Sequence, residues 1–168
     1  MSLTAEPIFQ VAWIVDDIEA VEEQLDATLG VPRWTRIPDV HFAPEMCRYR
    51  GEPADFTVHV SLGWAGTQQL ELIQPVRGRS LYADDLERHG PGVHHLGRTV
   101  EDIESAVEQA TGKGMTVVQE GAFPGNSIRF AYLEAAAGGR THLELFQISD
   151  GMRRFFDSLM TGTSGGGQ

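Results

Sequence analysis

The chain has 168 residues, with 24 acidic against 13 basic side chains and a formal net charge of −11. At 41% hydrophobic and 22% charged, it can bury one domain's core and does not have the composition of a disordered chain. Its acidity opposes phosphate backbones and anionic lipid, which excludes nucleic acid and membrane surfaces as general partners. Cys47 is the single cysteine, so no internal disulfide and no thiolate zinc cluster can form, and it reads as a small apolar filler. The first residues, MSLTAEPIFQ, lack the basic start and apolar run of a signal peptide. No apolar stretch reaches membrane-spanning length, and the expected compartment is the cytoplasm.

In chain order, residues 8–15 are rich in strand formers and end at Asp16–Asp17, a helix start. Ile18, Val21 and Leu25 recur at helical spacing until Gly30 and Pro32 close the helix. Strands are predicted at roughly 46–50, 56–62 and 68–74, which completes a module over 7–75. A connector, 76–93, holds a short helix that Ser80 would cap, running through Arg88. The second module, 94–148, has a helix on Ile103, Ala106, Val107 and Ala110, ending near Gly112 and Gly114, and strands at 115–119, 128–133 and 141–147. A C-terminal helix over 149–160 carries Met152, Phe155, Phe156 and Leu159. The glycine-rich 161–168 is expected to be a disordered tail, so that 1–160 makes one domain.

The two modules are copies of one unit. Residues 10–24, QVAWIVDDIEAVEEQ, are answered 85 positions later by HLGRTVEDIESAVEQ: Val15, Asp17, Ile18, Glu19 and Gln24 match Val100, Asp102, Ile103, Glu104 and Gln109. QLELIQ at 69–74 is answered 73 positions later by HLELFQ at 142–147. The expected fold class is therefore α+β, with two tandem βαβββ modules whose curved sheets enclose a cleft.

Alternation along a strand turns Val11, Trp13 and Val15 toward the helix and leaves Gln10 on the opposite face. His95 occupies the same place in the second copy. Glu71 and Glu144 are repeat-equivalent on the last strands, each between leucines that point the other way. Approximate twofold symmetry would bring Gln10, Glu71, His95 and Glu144 into one cleft. Two carboxylates there repel unless a cation neutralises them, and the mixed oxygen and nitrogen donors suit Zn²⁺, Mn²⁺, Co²⁺ or Ni²⁺.

The segments QVAWIVDDIEA, LELIQP, GPGVHHLGRTVEDI and HLELFQ resemble the vicinal oxygen chelate superfamily, which includes glyoxalase I and methylmalonyl-CoA epimerase. The resemblance covers about residues 7–148. It implies paired βαβββ modules with one divalent metal in the cleft, held by Gln10, Glu71, His95 and Glu144. The connector is most similar to the epimerase. Gln10 stands where that branch is expected to have histidine and instead matches the Gln/Glu/His/Glu set of a zinc-type glyoxalase.

The implied activity is isomerase or lyase chemistry on a small carbonyl or thioester substrate, in which a proton α to the carbonyl is removed and a Lewis-acid ion stabilises the resulting enolate. Glu144 is the first choice for the base, with Glu71 or Glu52 as its partner. The alternatives are a non-catalytic binding protein of the bleomycin-resistance type and an extradiol-type dioxygenase. His59 and His142 are candidates for orienting substrate, and His94 is expected to point into the opposite layer. Arg33, Arg36, Arg48 and Arg50 could meet a CoA phosphate or an acid group. By the same resemblance a homodimer is expected.

Overall fold

The computed structural model describes residues 7–135, 137 and 139–162, so the tail expected from 161 onward lies outside the described residues from 163. The strands are β1 (Gln10–Ile14), β2 (Trp34–Phe42), β3 (Cys47–Tyr49), β4 (Glu52–Pro53), β5 (Phe56–Ala65), β6 (Gln68–Arg77), β7 (Gly92–Thr99), β8 (Thr116–Ala122), β9 (Ile128–Glu134) and β10 (His142–Ile148). Four helices, α1 (Ile18–Leu29), α2 (Leu81–His89), α3 (Ile103–Thr111) and α4 (Asp150–Thr161), complete an α+β fold. One curled sheet runs in the order β2-β5-β6-β1-β7-β10-β9-β8-β3-β4. The units β1-α1-β2-β5-β6 and β7-α3-β8-β9-β10 are the two βαβββ modules, joined by the antiparallel β1–β7 pair.

The residues that repeat in the sequence repeat in what they hold. Asp17 caps α1 by accepting from the Ala20 N–H at 3.1 Å, and Asp102 caps α3 from Ser105 at 3.0 Å. The first N–H of each helix is satisfied across the module: Ile18 donates to Gln74 Oε1 (3.2 Å) and Ile103 to Gln147 Oε1 (3.1 Å). Each helix covers the outer face of its own half. Val11, Trp13, Leu70 and Leu72 pack with Ile18 and Leu25 of α1, while Leu143 and Leu145 pack with Ala106 and Ala110 of α3. A third, aromatic cluster includes Phe42, Phe56, Tyr82, Phe130, Tyr132 and Phe146.

Two departures from the expected strands matter. The second strand of the first module is β2, not the predicted run at 46–50. It is an outermost strand with Pro38, Arg36 and Asp39, and its pairing with β5 slips between Ile37 and Val40, where Asp39 takes φ +53°. An edge strand tolerates proline and charge, so the alternating apolar signal is absent. Residues 47–49 do form a strand, β3, but it pairs with β8 of the other module (Tyr49 opposite Gln119).

The second departure is a bulge in β7. Ala12 faces His95 and Trp13 faces Val93, so His94 is an extra residue without a partner on β1. It is therefore not sent to the opposite layer. The bulge brings His94 and His95 within hydrogen-bond reach of one another.

Gly78 shows how tightly the first module closes. Its φ is +81°, and a Cβ there would lie 2.1 Å from the Asp55 carbonyl oxygen. Gly78→Ala is expected to cost at least about 2 kcal/mol, as backbone strain and a clash combine. Gly66→Ala, with φ +62° and open space around it, should cost only the strain, about 1 kcal/mol. Urea-unfolding midpoints of the two variants check the difference.

Candidate functional site

Pairing within each module sets the site. Gln10 of β1 sits opposite Gln69 of β6, and His95 of β7 opposite His142 of β10; the small residues Ala12 and Gly97 sit opposite Glu71 and Glu144. The symmetry expected from the repeat is thus realised in register, and all four singled-out side chains meet. His95 Nε2 lies 3.0 Å from Gln10 Oε1, 3.4 Å from Glu71 Oε2 and 3.2 Å from Glu144 Oε2. The Gln10 amide oxygen is itself 3.3 Å from Glu71 Oε2 and 3.2 Å from Glu144 Oε2, while its Nε2 donates to Gln69 Oε1 at 2.7 Å. Turned over, the amide would donate to both glutamates, and Gln69 would have to turn with it to keep their bond.

His95 is fully buried and Gln10 and Glu144 nearly so. Burial alone would strip the proton from His95, but Glu144 and Glu71 outweigh it and hold its pKa up at about 9. Burial pushes the Glu71 carboxyl above its ordinary range, with Glu144 adding to the shift and His95 opposing it. One imidazole thus faces two carboxyl groups, and with both of these ionised a single imidazolium would leave them one positive charge short of balance. A divalent cation in place of the His95 Nε2 proton would balance both carboxylates. Carboxylate, amide and imidazole are donor types that one such ion takes.

Above the carboxylates lies a cleft of about 250 Å³. Its walls are apolar and aromatic, including Val60, Phe42, Phe130, Tyr132 and Phe146, and α4 contributes Met152, Phe155 and Phe156. Among the described lining residues, Glu71 and Glu144 are the only charged ones. Tyr82 donates to the Tyr132 hydroxyl at 2.8 Å. Burial, reinforced by Glu144, raises both phenols well above their ordinary pKa, so they stay neutral.

Behind His95 is a second buried group. Its Nδ1 is 2.9 Å from His94 Nδ1, His94 Nε2 is 3.4 Å from Asp85 Oδ2, and the same oxygen is 2.6 Å from His142 Nε2. Burial lowers the His94 pKa to about 3 against the opposing pull of Asp85, so its ring is neutral. The Asp85 carboxyl, which burial would raise, is held below its usual range by His142 and His94. The ligand-capable atoms of Asp85, His94 and His142 all lie within 4.8 Å of one another.

Other candidates are placed elsewhere. Glu52 is exposed on β4 at the end of the strand order and does not line the cleft, because the β3–β4 hairpin is drawn onto β8. Arg36 is bound to Glu19 and Glu22, Arg33 donates to the Leu159 carbonyl, Arg48 to the Gly51 carbonyl, and Arg50 to the Tyr49 hydroxyl. His59 accepts from the Asp39 N–H at the sheet edge. Sequence reasoning missed Tyr82, Tyr132 and Asp85. An aromatic residue in an apolar strand reads as core, and nothing in the α2 sequence separates Asp85 from the neighbouring acid Asp84.

The sequence model described as the glyoxalase/bleomycin resistance protein/dioxygenase superfamily matches residues 9–132. Similar solved structures include the methylmalonyl-CoA epimerase of Mycobacterium tuberculosis, at 17% identity and a TM-score of 0.60 over 92% of this chain and 96% of that one. A hypothetical protein of Bacillus halodurans matches at 18% and 0.60, over 88% and 97%. A variant of 4-hydroxymandelate synthase from Streptomyces coelicolor matches at 16% and 0.54, over 86% of this chain and 49% of the other. At such identities the likeness is one of fold, and a search of curated proteins gave no match. With its family match running from β1 into β9 and its two βαβββ modules curled round one cleft, the chain belongs to the glyoxalase/bleomycin resistance protein/dioxygenase, or vicinal oxygen chelate, superfamily.

Proposed function

We propose that this protein is a metal-dependent isomerase or lyase that removes a proton from the carbon next to a carbonyl, with Gln10, Glu71, His95 and Glu144 as the ligands of one divalent ion (Zn, Co, Ni or Mn). The observation that carries this reading is the convergence of the Glu71 and Glu144 carboxyls with one imidazole and one amide around His95 Nε2, where ionised carboxylates would outnumber the single cationic side chain. A bound ion would supply Lewis-acid polarisation of the substrate carbonyl. Glu144, facing the cleft, takes the α-proton and returns it, and Glu71 is its partner on the opposite module. The aromatic walls and α4 keep water from the carbanionic carbon.

The charge count also selects the substrate. A divalent ion and the two glutamates sum to zero, and no lysine or arginine is among the described lining residues. A carboxylate next to the reacting carbon would therefore be an uncompensated buried charge. The favoured substrate is an uncharged carbonyl compound with an apolar body, such as a hydroxyketone or a hemithioacetal. Expected, at equal concentration, is α-hydrogen exchange at least about tenfold faster for the hemithioacetal of phenylglyoxal with a neutral thiol than for methylmalonyl-CoA, a difference of about 1.4 kcal/mol. The reverse order, measured by NMR in D₂O, would sink the charge argument.

The reading includes a cytoplasmic homodimer, to be checked by sedimentation. Its central test is elemental analysis of the purified protein beside a Glu71→Ala/Glu144→Ala variant. About one ion per chain, lost in the variant, is the expected result. No uptake after incubation with Zn²⁺, Co²⁺, Ni²⁺ or Mn²⁺ would overturn it in favour of a binding protein that uses the apolar cleft to sequester a small molecule.

A further inference from the structure

We propose that Asp85 and His94 form a buried outer pair that positions His95, fixing its Nδ1 as a donor so that Nε2 faces the cleft as a ligand. It follows that the Asp85–His94–His142 cluster is not a second metal site. The inference rests on the metal reading above.

A neutral imidazole carries one proton on two nitrogens. The two rings meet Nδ1 to Nδ1 at 2.9 Å, so one of these nitrogens donates and the other accepts. If His95 gives its Nε2 lone pair to an ion, its proton is on Nδ1 and points at His94. His94 then accepts at Nδ1 and carries its own proton on Nε2, which faces Asp85 Oδ2 at 3.4 Å and has no other partner among the described residues.

An ion on His94 Nε2 would require the opposite arrangement. It would drive the His94 proton to Nδ1 and the His95 proton to Nε2, where it faces Glu71 and Glu144. The two sites therefore exclude one another as long as both rings are neutral.

Asp85 decides between them. It is buried, and its Oδ2 meets both His142 Nε2 (2.6 Å) and His94 Nε2 (3.4 Å). A buried carboxylate requires donors, and among the described residues the side-chain nitrogens that reach it are these two. With both Nε2 atoms protonated toward Asp85, neither has a lone pair for a metal. Around His95 Nε2, by contrast, stand the Glu71 and Glu144 carboxyls with the Gln10 amide beside them.

The bulge at His94 creates this arrangement by bringing two consecutive histidines together. A ligating histidine held from behind by a carboxylate through another group is an outer-shell support of known value, about 10–100-fold in metal affinity.

The test uses the full chain and Zn²⁺, with affinity measured by competition against a chromophoric chelator and stoichiometry by elemental analysis. His94→Leu removes the acceptor behind His95 and is expected to weaken Zn²⁺ binding by about 10–100-fold. His94→Asn keeps an oxygen near the Nδ1 position and is expected to restore affinity to within about threefold of wild type. A ligand role for His94 would instead give two ions per wild-type chain, with one lost equally in His94→Leu, His94→Asn and His142→Leu. Unchanged affinity in His94→Leu, or equal losses in the leucine and asparagine variants, would overturn the proposal. If His94→Leu does not fold by circular dichroism, Asp85→Asn takes its place, with a loss of about threefold or more expected and an unchanged affinity counting against the pair. A wild-type chain that takes up no Zn²⁺ removes the metal reading and this one together; one ion with an indifferent His94 removes this one alone.

Discussion

Glu144→Gln is expected to slow exchange of the substrate's α-hydrogen by about 10²–10⁴-fold, the usual worth of a positioned general base. The amide keeps an oxygen that can still face His95, so the ion should be retained at about one per chain while the proton acceptor is lost. This separates chemistry from metal binding, which an alanine at the same place would not do. Glu52→Gln serves as the control, because Glu52 is exposed on β4 and lines no part of the cleft; its exchange rate should match wild type. Exchange in D₂O followed by NMR reads both variants. Retained exchange in Glu144→Gln would remove Glu144 as the base and shift the role to Glu71.

The second large effect is on stability. Zn²⁺ at about a hundred times its Kd should stabilise the folded chain by about 2.7 kcal/mol, which for a domain of this size is a rise in Tm of about 5–11 °C. Chelation should reverse the rise, and the Glu71→Ala/Glu144→Ala variant should lack it. The metal-free protein should also depend on pH in a definite sense. His95 is held at about 9 in the folded chain, against about 6.5 when unfolded. Folding that raises a histidine's pKa stabilises below the unfolded value, and that contribution is lost as pH climbs through the folded one. The metal-free Tm should therefore fall between about pH 6.5 and 9, with the raised Glu71 carboxyl acting in the same sense over its own range. The Zn²⁺-loaded protein should not show this fall, since the ion replaces the Nε2 proton. A flat metal-free curve across that window would show that the carboxylates do not hold a proton on His95.

Most of the plan was legible because the repeat recurs at residues with a mechanical role. Asp17 and Asp102 cap helices, Gln74 and Gln147 receive the first helical N–H groups, and the leucines beside Glu71 and Glu144 pack under α1 and α3. Helix α2, capped by Ser80, and the apolar stripe of α4 followed from the same patterning.

What did not follow from pattern depends on long-range pairing. Strand β2 has no alternating apolar face because it lies at an edge, and β3 obeys its local signal but joins the other module. Period-two alternation placed His94 opposite His95, and one extra residue in β7 reversed that. Asp85 acquires its partners only when α2 folds against the sheet and its side chain reaches His94 of β7 and His142 of β10, a contact that no spacing in the α2 sequence announces.

The extra residue in β7 has a consequence for how such a site can be built from a duplicated segment. The first copy carries Phe9 where the second carries His94, and Gln10 is backed by Gln69 rather than by an imidazole. A chain fused from two copies of residues 7–75 would keep the pairing and the helix caps. Its cleft would then offer two amides and two carboxylates, an all-oxygen cage of the kind that favours Ca²⁺ or Mg²⁺. On the proposed metal reading, preference for a borderline ion such as zinc would thus enter through the second copy alone, with the imidazole and the bulged strand that brings a neighbour behind it.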